Sequence, residues 1–232
     1  MRKYLPQLRQ CPLFARIPDE DLLRTLVCLR VQVICVQRDQ VILRQGEPAA
    51  RLGVVLCGGV RVVSSDEYGN HSVIVAVGER EVFADSFACA GLAALPVSVV
   101  ASQESVVLLL EHKRVITGCR NGCMAHSYLV TNLLRIIAGK NLILSRKLSI
   151  VTQRTTREKL LAFLREQQKQ SGMHRFTIPF DRQALADYLG VERSAMSAEL
   201  GRMKRAGLID YRKNEFEILR PSGEAHGEKL HG

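Results

Sequence analysis

Arg193 opens a short stretch in which one arginine, two serines and an alanine can share one side of a helix. Met196, Leu200 and Met203 recur at i, i+4 and i+7, which fixes a packing face and leaves Ser194, Ser197, Ala198, Gly201 and Arg205 opposite it. A guanidinium's paired N–H groups match the O6 and N7 acceptors of guanine, and a face of small side chains lets a helix approach the floor of a major groove. The chemistry these residues fit is the reading of bases. Catalysis is a poor fit, because no nucleophile, base and orienting residue stand together in a motif, and Asp85 with His71 is too little for one.

Residues 178–219, IPFDRQALADYLGVERSAMSAELGRMKRAGLIDYRKNEFEIL, supply the elements that position this face. Asp181 is a suitable N-cap, Ala184, Leu185 and Leu189 form an apolar stripe, and Gly190 is free to enter the left-handed region that ends a helix. Gly207 ends the second helix. Leu208 to Tyr211 and Glu215 to Leu219 then alternate as a hairpin whose tip, Arg212, Lys213 and Asn214, suits phosphate contact. Together these predict a winged helix-turn-helix, the alternative being a small helical bundle with a terminal hairpin.

The 232 residues are enough for two modest domains, and the formal net charge of +10 favours a polyanionic partner. Much of that charge falls after residue 135, in Arg146, Lys147, Arg154, Arg157, Lys159, Arg202, Lys204 and the arginines and lysines already named. No apolar run reaches the length of about 18 residues needed to span a bilayer, and MRKYLPQLRQ lacks the apolar centre of a signal peptide, so a cytoplasmic protein without a membrane partner is expected. Seven cysteines, Cys11, Cys28, Cys35, Cys57, Cys89, Cys119 and Cys123, suit reduced thiols used mostly in packing. Cys119 and Cys123 are spaced C-x3-C, but no second pair stands at a usual metal spacing, and no metal site is expected.

The front half is β-rich. Strands are predicted at Val31–Val36, Val41–Arg44, Leu52–Cys57, Val60–Ser64, Ser72–Val77, Val97–Ser102 and Ser105–Glu111, behind a short helix opened by Pro18, Asp19 and Glu20. Short strands separated by glycine-rich turns indicate an antiparallel sandwich or barrel, with EVFADSFACAGLAALP as a loop and short helix where a ligand could sit. From about Met124 a long helix follows. Val130, Leu134, Ile137, Asn141, Leu144, Leu148 and Val151 step by four and three, the seam of a two-stranded coiled coil with one polar residue to set register. The alternative is a monomeric helix lying on the β domain. Thr155 then caps another amphipathic helix, with Gln153 and Arg154 as the hinge. The expected domains are 1–122, 123–152 and 153–220, with a disordered tail at 221–232.

A β-rich front, a long dimer helix, TTREKLLAFL and DRQALADYLGVERSAMSAELGRM, in that order, resemble the Crp/Fnr family of bacterial transcription regulators over residues 5–220. The resemblance implies an α+β fold: an antiparallel β-roll of cyclic-nucleotide-binding type (a double-stranded β-helix), a dimerisation helix and a winged helix-turn-helix. It also implies a homodimer on an inverted repeat of double-stranded DNA, with RNA polymerase a further candidate partner. By position, Arg193, Ser194 and Ala198 fall where members touch bases, Arg182 and Gln183 where they touch the backbone. Many members carry Glu and Arg at the second and third base-reading places, so the operator should differ, with Arg193 its chief reader and Ser197 and Arg205 as neighbours.

The sensor departs further. Cyclic-nucleotide binders need Gly-Glu for the ribose and Arg-Ser for the phosphate, but this chain has Ala84-Asp85 and no arginine between Glu81 and Lys113. Leu142 and Ile143, near the purine-facing places, offer no side-chain hydrogen bonds, so the expected effector is not cyclic AMP. An apolar or aromatic effector, as in halophenol-sensing relatives, is expected, with Phe83, Phe87, Leu92, Leu95 and Leu142 as lining and Arg61, Tyr68, His71 and Asp85 as polar anchors. The alternative is that these side chains simply fill the roll. No cofactor is expected; haem on His71, His126 or a cysteine stays open, and the N-terminal cysteine cluster of iron-sulfur members is missing. A haem- or thiol-based redox or gas sensor and a cyclic-nucleotide-binding regulatory module are the competing functions.

Overall fold

The computed structural model describes residues 2–65, 71–117 and 123–219, the side chains of Ser65 and His71 excepted. Tyr68, Cys119 and the 221–232 tail therefore lie outside the described residues. Two compact units divide the chain, Met1–Asn141 and Leu142–Gly232. The division falls inside the long helix, not at either of the expected boundaries, 122/123 and 152/153.

The first unit begins with 3-10 turns at Arg2–Tyr4 and Pro12–Phe14, which flank α1 (Leu5–Gln10), and continues into α2 (Asp19–Cys28). Asp19, Glu20 and Asp21 fill the first turn of α2, where their charge complements the helix dipole. Eight strands follow: β1 (Gln32–Val36), β2 (Val41–Leu43), β3 (Arg51–Cys57), β4 (Val60–Ser65), β5 (His71–Val77), β6 (Val82–Phe83), β7 (Ser98–Ala101) and β8 (Ser105–Glu111). They pair antiparallel into two four-stranded sheets, β1-β8-β3-β6 and β2-β7-β4-β5. Three helices complete the unit's elements: α3 (Asp85–Cys89), α4 (His112–Ile116) and the start of α5 (Met124–Val151).

The sheet holding β3 and β8 is buried on both faces, so its strands read as continuous apolar runs. Val54, Leu56, Leu108 and Leu110 face a core shared with Leu8, Leu13, Leu22, Leu26, Leu129 and Leu133. Val55, Val107 and Leu109, one residue out of phase, face Val60, Val62, Val77 and Val99 of the other sheet inside the roll. Asn132 of α5 is buried against the first of these cores and donates to the carbonyls of Leu13 (3.1 Å) and Ala15 (2.7 Å). The outer strand β5 is a sheet edge, and Val73, Ile74 and Val75 on it are exposed.

The second unit contains the rest of α5, then α6 (Thr156–Ser171), β9 (Arg175–Thr177), α7 (Arg182–Leu189), α8 (Arg193–Arg205), β10 (Ile209–Arg212) and β11 (Glu215–Ile218). Thr155 and Glu158 form a reciprocal capping box at the start of α6. The hairpin β10-β11 gains a third strand, β9, which the sequence pattern had not indicated. Phe163, Phe176, Leu185, Leu189, Met196, Leu200, Met203 and Phe216 form the core. In α7 the buried residues are Leu185, Ala186 and Leu189; Ala184, expected in the apolar stripe, is exposed, because two steps of about 100° separate it from Ala186 and turn it away from the face those three share.

The cysteines correct another expectation. Cys11 is buried, and burial pushes its thiol up to about 11, but Cys28, Cys35, Cys57, Cys89 and Cys123 are exposed. They sit at element ends or on outward positions of otherwise apolar segments, so the packing role holds for Cys11 alone among those described.

Gly53 and Phe83 are cross-strand partners, and a Cβ at Gly53 would come within 2.0 Å of the buried Phe83 ring. Gly53→Ala should therefore destabilise the roll by about 1–3 kcal/mol. Because the clash needs the ring, urea titration should show Gly53→Ala with Phe83→Ala costing less than the two single changes added.

Candidate DNA interface and sensor site

Asp181 caps α7 by accepting from the Ala184 N–H at 2.8 Å, and Gly190 closes it with φ 61° and ψ 49°. The left-handed residue turns the chain sharply enough for α8 to begin at Arg193. Arg193, Ser194, Ser197, Ala198 and Arg205 are exposed on α8, while Met196, Leu200 and Met203 are fully buried. The guanidinium of Arg205 folds back to within 3.5 Å of where a Cβ at Gly201 would stand.

A groove of about 640 Å³ brings Asp181, Arg182, Gln183, Arg193, Lys213 and Asn214 together. Two helix starts and the hairpin tip thus converge, with three cations against one carboxylate already used as a cap. Arg182 is the most firmly held. Its guanidinium lies 5.0 Å from the Tyr211 ring centre and 5.4 Å from that of Phe216, the two rings being stacked at 5.5 Å. Its Nη2 donates to the Lys213 carbonyl at 3.1 Å, and burial lowers its pKa. Nη1 is buried with no hydrogen-bond partner among the described residues. Lys213 occupies the left-handed region, φ 54°, at the two-residue turn between β10 and β11, a conformation that glycine takes more readily. Arg212 lines a separate cleft beside Arg175 and Lys204.

Several residues that build this face had no local signature. Glu192 is the N-cap of α8, accepting from the Ala195 N–H at 2.9 Å and from the Ser194 hydroxyl. Glu199, on the buried side of α8, receives Arg157 of α6 at 2.6 Å and Arg202 at 2.7 Å. Burial alone would raise its pKa, yet the two guanidiniums prevail and hold it below the usual carboxylate range.

In the first unit, Phe83 and Leu95 are buried inside the roll and Phe87 packs half-buried against them, while Leu92 is exposed. Arg61 does not join them. Strand alternation sends it to the face opposite Val60 and Val62, where it pairs with Asp39 at 2.5 Å. Leu142 belongs to the second unit and is exposed. Asp85 is buried and already engaged: Lys140 of α5 reaches it at 2.6 Å and also donates to the Val82 carbonyl at 2.7 Å. Ala84, just before it, has φ 56°. His126 is buried with Nδ1 3.0 Å from the Cys123 Sγ. No group of three or more metal-ligating side chains occurs among the described residues, and no described helix is long and apolar enough to cross a membrane.

Along α5, Val130 and Val151 are half-buried, Ile137 packs against the core of the first unit, and Leu134, Asn141, Leu144 and Leu148 are exposed. Leu142 and Ile143 are exposed too. Such a concentration of bare aliphatic side chains is what an uncovered association surface presents.

A β-roll joined through a long helix to a winged helix-turn-helix defines the class: a DNA-binding regulator with an effector-binding domain. A model of the Crp-like helix-turn-helix domain matches residues 158–223, and a model of the cyclic nucleotide-binding domain matches residues 33–121. The chain belongs to the Crp/Fnr family, whose members are transcription regulators and not enzymes. Similar folds include CprK complexed with OCPA (TM-score 0.60, 14% identity, covering 87% of this chain and 90% of that one). They also include the c-di-GMP responsive global regulator CLP of Xanthomonas campestris (0.51, 15%, 88% and 100%) and DNR of Pseudomonas aeruginosa (0.50, 20%, 95% and 95%). No curated protein matches the chain.

Two changes test these contacts. Lys140→Met strands a buried carboxylate and should cost on the order of 3 kcal/mol by urea unfolding, most of it recovered when Asp85→Asn is added. Glu199→Gln should cost about 1–3 kcal/mol. Because the folded-state pKa of Glu199 is lowered, its stabilisation is present above the unfolded glutamate pKa of about 4.3 and is lost as pH falls through the lower folded value. Melting curves across that acid window should therefore be flatter for Glu199→Gln than for the parent chain.

Proposed function

We propose that this chain is a homodimeric transcription regulator that binds an inverted repeat through paired α8 helices and is switched by a small apolar or aromatic effector other than cyclic AMP. The groove joining Arg182, Gln183, Arg193 and Lys213 carries this reading. Arg193 reads a guanine, with Ser194, Ser197, Ala198 and Arg205 beside it, while Arg182, Gln183, Arg212 and Lys213 hold the backbone. The exposed Leu134, Asn141, Leu144 and Leu148 support pairing of α5 with its counterpart in a second copy, Val130, Ile137 and Val151 completing the seam. Two-fold pairing would set the recognition helices about 34 Å apart, one turn of DNA. The protein would work in the cytoplasm, with RNA polymerase as a further partner.

Against cyclic AMP stand the lack of an arginine between Glu81 and Lys113 and the engagement of Asp85 by Lys140. Phe83, Phe87 and Leu95 offer an apolar surround, so an uncharged or aromatic ligand suits the roll better than a phosphate. A thiol-based redox reading is the second, favoured by the exposed Cys123 against the His126 ring. Native mass spectrometry with a visible spectrum of fresh protein separates the two: a retained small molecule supports the first, an oxidised thiol or a haem band the second.

Gel shifts with promoter fragments test DNA binding itself, and no shift at moderate salt with or without cell extract sinks it. Arg193→Ala should relax base preference by about 1–3 kcal/mol at one position. Lys213→Ala should weaken binding to all sequences alike and reduce the salt slope by about 1. Identical behaviour of the two variants would show that α8 does not dock as proposed.

A further inference from the structure

Glu192 is an unusual residue to start a recognition helix. Helix starts favour Ser, Thr, Asp and Asn, whose short side chains reach the N–H groups of the first turn directly. Here a glutamate does this across an extra methylene, accepting from the Ala195 N–H at 2.9 Å and from the Ser194 hydroxyl. Those bonds, the Ser194 hydroxyl's first, hold the carboxyl below the usual carboxylate range, so it is ionised at neutral pH. Both Glu192 and Ser194 are exposed, at the same end of α8 as Arg193.

An anion placed there would face the phosphates of an approaching duplex and weaken binding unless a donor met it. Carboxylate oxygens have several acceptor sites, so capping does not exhaust them. The major groove offers two strong donors, the exocyclic amino groups of cytosine and adenine. Adenine's lies beside the N7 acceptor, which an acceptor-only carboxylate would oppose, and cytosine's does not. The O–H donor of Ser194, for its part, is already spent on Glu192.

We infer that Glu192 is a specificity-determining residue of this chain, accepting a hydrogen bond from the amino group of a cytosine, and that Ser194 positions it instead of reading a base alone. This rests on the DNA-binding reading above. The arrangement pairs an acceptor with the donor fork of Arg193, so one helix start reads two bases of opposite polarity.

Selection from randomised duplexes with the full chain tests the inference. The parent chain should enrich a cytosine at one position per half-site. Glu192→Ser keeps a good cap but removes the carboxylate; it should lose that preference, with affinity for the selected site falling about 5- to 150-fold. Glu192→Gln, which can pair in bidentate fashion with adenine, should move the preference from cytosine to adenine. Melting temperatures close to the parent's would show that both variants fold. Enrichment of the parent motif by both variants at parent affinity overturns the inference and leaves Glu192 a cap only, and a parent requirement for adenine overturns the assignment to cytosine. Failure of the parent chain to enrich any sequence would instead defeat the DNA-binding reading beneath it, and is visible without any variant.

Discussion

A polar side chain sealed in an apolar setting has few places to go, and Asn132 uses both amide hydrogens to grip the carbonyls of Leu13 and Ala15. That grip ties α5 to a segment more than a hundred residues earlier and sets which side of the helix enters the core. Ala125, Leu129 and Leu133 follow it inward at helical spacing. With one face committed, Lys140, two turns further along, reaches Val82 and Asp85, so the short strand and helix of the sensor loop are fastened to the same rod. Displacing that loop means separating a buried carboxylate from its cation. Any movement of that loop therefore carries an electrostatic cost and is linked mechanically to α5.

In the second unit the governing theme is the preparation of cations before any partner arrives. Arg182 has lost part of its hydration and lies against two rings, with one nitrogen fixed on a carbonyl and another left without a partner. The entropy of ordering a long side chain is thus met during folding and not at binding. Arg157 and Arg202 are committed differently, spent on the buried Glu199, where Arg157 joins α6 to α8 and Arg202 closes a pair within α8. A basic composition alone would not distinguish the arginines that hold the fold together from those that remain for DNA.

The helix-turn-helix was legible because its signals are local. Asp181, Gly190 and the Met196, Leu200, Met203 stripe lie within one or two turns of the features they specify, and each sits where its chemistry demands. Seven strands were legible for the same reason. The pairing of Asp85 with Lys140 was not, since 55 residues separate them and neither carries a mark of its partner. Arg61 pairs with Asp39 and not with the pocket residues, because a strand's inward face cannot be chosen from sequence until its neighbours are known. Glu192 carries no cap signal because glutamate is a weak cap by preference, and β9 carries none because three residues are too few for a period to show. The cysteines misled through composition: an apolar neighbourhood in sequence is half outward-facing once it becomes a strand or the end of a helix.

The outer strand of the second sheet carries a consequence for how the molecule behaves in solution. HSVIVAV has no charge, proline or glycine, ends its sheet, and shows Val73, Ile74 and Val75 to solvent. A free edge of this composition is a template for another strand. What keeps copies apart over long range is the net charge of +10, whose repulsion fades as salt shortens the screening length. Colloidal stability and affinity for DNA are therefore coupled through one variable: the ionic strength that loosens the protein's hold on a polyanion also brings its own β edges within reach of each other.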